Sequence, residues 1–245
     1  MKNNTPEYEY LYGLHPVAEA IRAGRRQCLE LLLDGHAAPD RFNEVQRLAH
    51  QQQIPTRITH KQELFQHTQT KQHQGVALRA TPFPFADLDD GIFEVPRLLL
   101  LDNIEDPRNA GAILRSADLF GFHTILLPLR GATGIYPSVV KTSAGAAEHL
   151  QIVHAANSTR YVKRAKSAGY RVVALDMNGP IHLEDVPRLD PKPLLLVIGG
   201  EDKRIGQFIL NEADMVAKIP QTGHVNSLNA SVAAGIALYH FSLPA

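Results

Sequence analysis

Residues 97–117 read Arg97-Leu98-Leu99-Leu100-Leu101-Asp102-Asn103-Ile104-Glu105-Asp106-Pro107-Arg108-Asn109-Ala110-Gly111-Ala112-Ile113-Leu114-Arg115-Ser116-Ala117. A short apolar run, a polar turn and an amphipathic helical stretch follow one another, as in a parallel sheet whose two faces are covered by helices. Asp106 before Pro107 supplies a helix N-cap with proline at the first helical position. Apolar runs recur at residues 124–127, 171–175 and 194–198, and helical stretches lie at 109–120 and 158–168. The C-terminal part is therefore predicted to be α/β, with a mostly parallel sheet. Its last stretch, 228–241, is Ala-rich with few charges, and is expected to be buried against the sheet or against another subunit.

Upstream, residues 81–96 hold three prolines, one glycine and four acidic residues, a composition that reads as a linker. Residues 1–80 alternate helical stretches at 14–23 and 40–52 and a short one from Lys61 with strand-like runs at 29–33, 54–59 and 75–79, a small α/β domain of its own. The predicted division is 1–80, a linker at 81–96, and 97–245. Residues 1–80 carry 10 Lys plus Arg against 8 Asp plus Glu, and residues 97–245 carry 15 against 13. Two mildly basic bodies thus lie beneath a formal net charge of zero, which excludes a grossly basic nucleic-acid wrapper. A single cysteine, Cys28, excludes a disulfide scaffold and fits a reducing compartment. The polar start and the lack of any run of about 18 apolar residues point to a cytoplasmic chain. His60, His67 and His73 match no zinc spacing and read as solvated surface, so no metal is expected.

In an open α/β sheet ligands bind beyond the carboxyl ends of the strands, which directs attention to the loops after Leu101, Ile198 and Ile219. The first carries more than a cap needs, since Asn109 and Arg115 are six residues and about 600° apart on a helix. The second, Gly199-Gly200-Glu201-Asp202-Lys203-Arg204-Ile205-Gly206, places paired glycines at a strand end, where a ligand can approach the backbone. The third runs from Ile219 and Pro220 through Gly223 and Asn226 to Ser227-Leu228-Asn229-Ala230-Ser231, with more amides and hydroxyls than a helix start uses. No dinucleotide or triphosphate fingerprint occurs, and no Gly-x-Ser-x-Gly elbow, which argues against an ordinary oxidoreductase or hydrolase.

Together the three segments resemble the SpoU (TrmH) family of RNA ribose 2′-O-methyltransferases, within the SPOUT class. Asn103, Asp106, Pro107, Asn109, Gly111 and Arg115 resemble one family motif. Gly199 and Glu201 resemble a second, and Ile219, Pro220, Gly223, Ser227, Leu228, Asn229 and Ser231 a third. The stretch 141–148 is similar to a further family segment. Tyr12-Gly13-Leu14-His15-Pro16-Val17 and His73-Gln74-Gly75-Val76 resemble the family's RNA-binding domain, of the ribosomal L30e-like type. Arg204 departs from the family pattern, where glycine is usual, and so does Asn226, where serine is common.

The resemblance implies a trefoil-knotted C-terminal sheet, an S-adenosylmethionine site, a homodimer formed through the C-terminal domain and RNA as substrate. It is closest to the branch that methylates a guanosine of bacterial large-subunit (23S) ribosomal RNA. A transfer-RNA substrate, or a non-catalytic RNA-binding or ribosome-assembly protein of the same fold, stays open. The implied catalytic set is Asn109, Arg115, Glu201, Ser227 and Asn229. The implied cofactor set is Gly199, Gly200, Glu201, Ile219, Pro220, Gly223 and Leu228. RNA is expected to be gripped by Arg22, Arg25 and Arg26 after the first helix, with Arg108 and Arg130 near the cleft. The side chain of Arg204 is expected to narrow or shift the cofactor loop.

Overall fold

The structure is a computed structural model that describes residues 7–188, 190–200, 203–224 and 227–243. In chain order the first elements are β1 (Glu9–Tyr12), α1 (Leu14–Ala23), β2 (Cys28–Asp34), α2 (Asn43–Gln51), β3 (Thr56–Thr59), α3 (Lys61–Thr68) and β4 (Val76–Ala80). They are followed by β5 (Arg97–Asp102), α4 (Pro107–Leu119), β6 (Thr124–Pro128), α5 (Pro137–Thr142), β7 (Gln151–Ala156) and α6 (Ser158–Ser167). The remainder comprises β8 (Arg171–Leu175), β9 (Ile181–His182), β10 (Leu194–Gly199), α7 (Gln207–Glu212), β11 (Met215–Lys218) and α8 (Ala230–Ser242). Two compact units result, one of Met1–Pro84 with Ile135–His149 and the other of Phe85–Gly134 with Leu150–Ala245.

The first unit is built on a four-stranded sheet in the order β1-β4-β2-β3. β4 runs antiparallel to β1 and β2, and β3 parallel to β2. Leu31, Leu32, Leu33 and Leu78 are fully buried in it, and α1 adds Val17, Ala18, Ala20 and Ile21. The segment 135–149 belongs to this unit because a buried ion pair fixes it there. Arg26 meets Glu148 through two hydrogen bonds of 2.9 and 2.8 Å, also pairs with Glu9, and donates to the Thr81 carbonyl. His73 corrects the expectation of a solvated histidine: it is buried, and its Nδ1 accepts the Gly75 N–H at 3.0 Å.

The second unit carries seven strands in the order β7-β6-β5-β10-β8-β11-β9, every recorded pairing parallel. This is the α/β architecture with a mostly parallel sheet that the apolar runs predict. β10 lies between β5 and β8, with Leu195 beside Leu98 and Gly199 beside Asp102. The carboxyl ends of three strands from distant parts of the chain are thereby adjacent. Leu98–Leu101 and Leu195–Ile198 are buried throughout, as expected of strands covered on both faces. The stretch 85–96, which composition marks as a linker, is packed instead. Ala86 bridges to Val153, and Ile92 joins the core beside Tyr161 and Tyr170. Its acidic residues hide that apolar content from a reading by composition. β7 also went unread, because an edge strand needs only part of its surface apolar and here intersperses Gln151 and His154. Among the described residues no helix is long and apolar enough to cross a membrane.

Candidate active site

Asp102 closes β5 and is buried, and both of its carboxylate oxygens are engaged. Ser158 at the start of α6 donates its hydroxyl to Oδ1 at 2.5 Å, while the Gly206 N–H reaches Oδ2 at 3.0 Å. Its carbonyl accepts the Gly200 N–H, also at 3.0 Å. One residue at the end of β5 therefore pins the loop that follows β10. Asn103 continues the bracing from a left-handed backbone (φ 59°), a conformation asparagine tolerates better than most side chains. Its Nδ2 donates to the Arg204 carbonyl at 3.0 Å. Gly200 packs so closely on Asn103 that a Cβ there would stand 2.0 Å from the Asn103 carbonyl oxygen.

The third loop is tied to the first. Asn229 is the N-cap of α8, accepting the Ser231 and Val232 N–H groups at Oδ1. Its Nδ2 donates to Oδ1 of Asn109 at 2.9 Å. Asn109 is held in place because α4 begins where expected, with the Asp106 carboxylate accepting the Arg108 N–H at 2.7 Å. The Arg108 guanidinium lies against the same carboxylate and holds it below the usual aspartate range.

Two hollows open at this end of the sheet and share Gly200 as their common wall. One is a cleft of about 680 Å³, counted to its open mouth, with apolar walls of Leu175, Met177, Ile198, Ile219 and Leu228 and polar groups from Asp176, Gln221 and Ser227. The other, about 570 Å³, is polar and lined by Asn103, Glu105, Asp106, Asn109 and Lys203. Of the residues expected to hold a cofactor, Gly199, Gly200, Ile219 and Leu228 line the cleft. Pro220 and Gly223 line an adjoining hollow that shares Met177, Ile219 and Gln221 with it. Of the expected catalytic set, Ser227 faces the apolar cleft, Asn109 the polar hollow, and Asn229 is bonded to Asn109. Glu201 and Asn226 lie outside the described residues. Arg115 is exposed on α4 and lines neither hollow.

Arg204 also lines the cleft, its Nη2 2.8 Å from Sδ of Met177. Asp102, Ser158, Asp176 and Met177 were missed by the sequence reading. Their signal is positional: Asp176 and Met177 follow β8, which flanks β10, so the rule that marked the other strand ends applies to theirs.

The expected RNA-gripping arginines correct differently. Arg26 is withdrawn from solvent, only 4% exposed, because the buried carboxylate of Glu148 and the half-buried one of Glu9 hold it. Arg22 bridges Glu19 and Glu44, and Arg25 donates to the Pro84 carbonyl and lies over the Phe83 ring. Arg108 and Arg130 remain exposed.

Comparison with known sequences and structures places these features among relatives. The family described as "SpoU rRNA Methylase family" matches residues 96–239, and that described as "RNA 2'-O ribose methyltransferase substrate binding" matches residues 10–86. A Mycobacterium ulcerans chain named an uncharacterized tRNA/rRNA methyltransferase is 37% identical over 242 residues, 97% of this chain and 77% of its own length. YacO of Bacillus subtilis, named in the TrmH family of tRNA/rRNA methyltransferases, is 35% identical, with 95% and 94% of the two chains covered. The solved structure of the SpoU methyltransferase AviRb from Streptomyces viridochromogenes, in complex with the cofactor AdoMet, has a TM-score of 0.77. It covers 96% of this chain and 90% of that one at 24% identity, a likeness of fold.

Proposed function

The chain belongs to the SpoU rRNA methylase family, and from that premise we propose that it transfers a methyl group from S-adenosylmethionine to a ribose 2′-hydroxyl of RNA, a guanosine of large-subunit (23S) ribosomal RNA. The observation that carries this reading is the pair of hollows divided by Gly200, one apolar and one polar. A methyl transfer needs donor and acceptor side by side and in line.

The cleft fits the donor. Its aliphatic walls suit an adenine, Gln221 and Ser227 offer hydrogen bonds, and the Asp176 carboxylate opposes a cationic sulfonium. S-adenosylmethionine supplies an electrophilic methyl group, so the protein need only align the acceptor oxygen and ease the loss of its proton. Asn109, fixed by Asn229, orients the ribose in the polar hollow. Ser227 faces the donor. Arg115 grips the adjacent phosphate and stabilises the developing alkoxide; a guanidinium has no lone pair free to accept a proton and does not serve as the base.

The position of Arg115 fits a homodimer built through the C-terminal unit. Leu119, one turn further along α4, is exposed, as are Val232, Ile236 and Tyr239 on α8. This apolar surface suits a second copy, and Arg115 stands at its edge. Arg108 and Arg130 add phosphate contacts.

The test is incubation with radiolabelled S-adenosylmethionine and total RNA from a strain lacking the gene, followed by mapping of the labelled ribose. Label on a guanosine of the large-subunit RNA is expected. Label on transfer RNA would move the assignment to the other substrate named for the relatives. Absence of label with intact donor binding would leave an RNA-binding protein of this fold. Asn109→Ala and Arg115→Ala should abolish transfer while calorimetric donor binding persists.

A further inference from the structure

The first unit holds an open groove of about 1310 Å³, counted to its mouth, which the arginines expected to grip RNA do not touch. Arg41, Lys61 and Lys71 rim it, Phe65 stands 42% exposed in its wall, and Asp34 and His73 line it as buried groups. Three features set it apart from ordinary surface. First, Arg41, Lys61 and Lys71 form no ion pair with any described residue. Arg22 and Arg26, by contrast, are neutralised by carboxylates. Secondly, an exposed aromatic ring sits among these cations, the combination that binds an unstacked nucleotide through its base and its phosphates.

Thirdly, Asp34 is only 2% exposed, and one of its carboxylate oxygens has no partner among the described residues. Oδ1 accepts the His36 N–H at 3.1 Å, whereas Oδ2 is buried without a hydrogen bond to any of them. A buried acceptor left unsatisfied is costly and calls for an occupant that donates. Beside it, the Nδ1 of His73 already accepts from Gly75, so the neutral ring carries its proton on Nε2.

We propose that this groove is a nucleotide subsite for the RNA substrate, which holds one unstacked guanine against Phe65, with Asp34 as acceptor and Arg41, Lys61 and Lys71 on the flanking phosphates. Guanine is the base whose Watson–Crick edge presents two adjacent N–H donors, at N1 and N2, to a carboxylate. Adenine and cytosine present one amino group each, and uracil one imide N–H. The assignment rests on the reading of RNA as substrate and adds to it where, and by which base, the first unit holds that RNA.

The test uses the full chain and fluorescein-labelled single-stranded RNA hexamers, five uridines with one central G, A, C or U, titrated by anisotropy at several salt concentrations. The G hexamer should bind roughly tenfold more tightly than the others. Asp34→Asn, which replaces an acceptor with an amide, should erase that preference, and the exposed Phe65→Ala should weaken all four hexamers. Lys61→Ala with Lys71→Ala should reduce the slope of log affinity against log salt by about 1.4. Equal binding of the four hexamers, or a preference unchanged in Asp34→Asn, would overturn the proposal. Because Asp34 is buried, the Phe65 and lysine variants provide an independent check should Asp34→Asn fail to fold; wild-type affinity and salt slope in those variants would overturn it equally. Methyl transfer to total RNA is measured in parallel. Transfer with no groove dependence sinks this inference alone, whereas guanine-selective binding without transfer to any RNA sinks the enzymatic reading alone.

Discussion

Asn229 and Asn109, 120 residues apart in the chain, are joined by a hydrogen bond of 2.9 Å from Nδ2 of the first to Oδ1 of the second. The same Asn229 side chain caps α8 through its other end. One amide thus starts a helix and holds a residue of the polar hollow. The two tasks separate by substitution.

Asn229→Ser keeps a capping oxygen but is too short to hold Asn109. Methyl transfer should fall by about 100-fold, the scale of a small misplacement at a reacting centre, with thermal stability nearly unchanged. Asn229→Ala should add a loss of about 1 kcal/mol in stability, read by urea unfolding. If Asn229→Ser transfers methyl at the wild-type rate, the contact does not position the acceptor.

Gly200 is where the backbone of the second loop rests on Asn103. A methyl group there meets a carbonyl oxygen at 2.0 Å, and main chain cannot yield as a flexible side chain does. Gly200→Ala should push the loop off Asn103 and distort the wall between the two hollows. Loss of donor binding by calorimetry, with the far-ultraviolet circular dichroism retained, is the expected result. Normal donor affinity would mean that the wall is not part of the site.

Arg204 occupies the cleft against Met177. If the donor binds in this cleft as proposed, Arg204 places a cation on the wall of a site that takes up a sulfonium charge. Arg204→Gly, which restores the residue usual in the family, should tighten S-adenosylmethionine binding by several-fold, and the gain should shrink with added salt, which screens exposed charges. Weaker binding in the variant would assign Arg204 to the carboxylate of the donor instead.

The three strand-end loops were legible because a parallel sheet announces its strands as apolar runs and directs ligands to their carboxyl ends. What escaped reading depended on partners far away in the chain. Arg26 looks like a basic residue after a surface helix until Glu148, 122 residues later, buries it. His73 sits among Gln and Lys in sequence and beneath a groove in space. Asp102 reads as the polar residue that ends a strand, and only the fold brings Ser158 and Gly206 to it. Local pattern located the loops, but it could not tell which polar side chains brace the fold and which face the ligand.

The exposed face of Leu119, Val232, Ile236 and Tyr239 carries a prediction about assembly. Ile236→Glu places a charge in the middle of that face without touching the buried side of α8, formed by Ala234, Ala237, Leu238 and Phe241. The variant should sediment as a folded monomer and lose methyl transfer, since Arg115 would stand at no subunit boundary. A dimer unaffected by Ile236→Glu would require a different interface.

Burial pushes the imidazoles of His73 and His154 below their ordinary value near 6.5; for His73, nearby Asp34 opposes the shift and Lys61 adds to it, while for His154 a hydrogen bond to the Pro128 backbone opposes it. Such a histidine binds its proton more readily unfolded than folded, so stability rises as pH climbs through about 6.5 and declines below it. Glu9, pushed above the usual glutamate range by burial, acts in the opposite sense. The diagnostic quantity is accordingly the difference between proteins rather than the total slope. Asn in place of both histidines keeps an amide oxygen for the Gly75 N–H and removes both titrations. Between pH 7.5 and 5.5 the melting temperature of His73→Asn/His154→Asn should fall less than that of the wild type. Parallel curves for the two proteins would show that neither imidazole stays neutral through its burial.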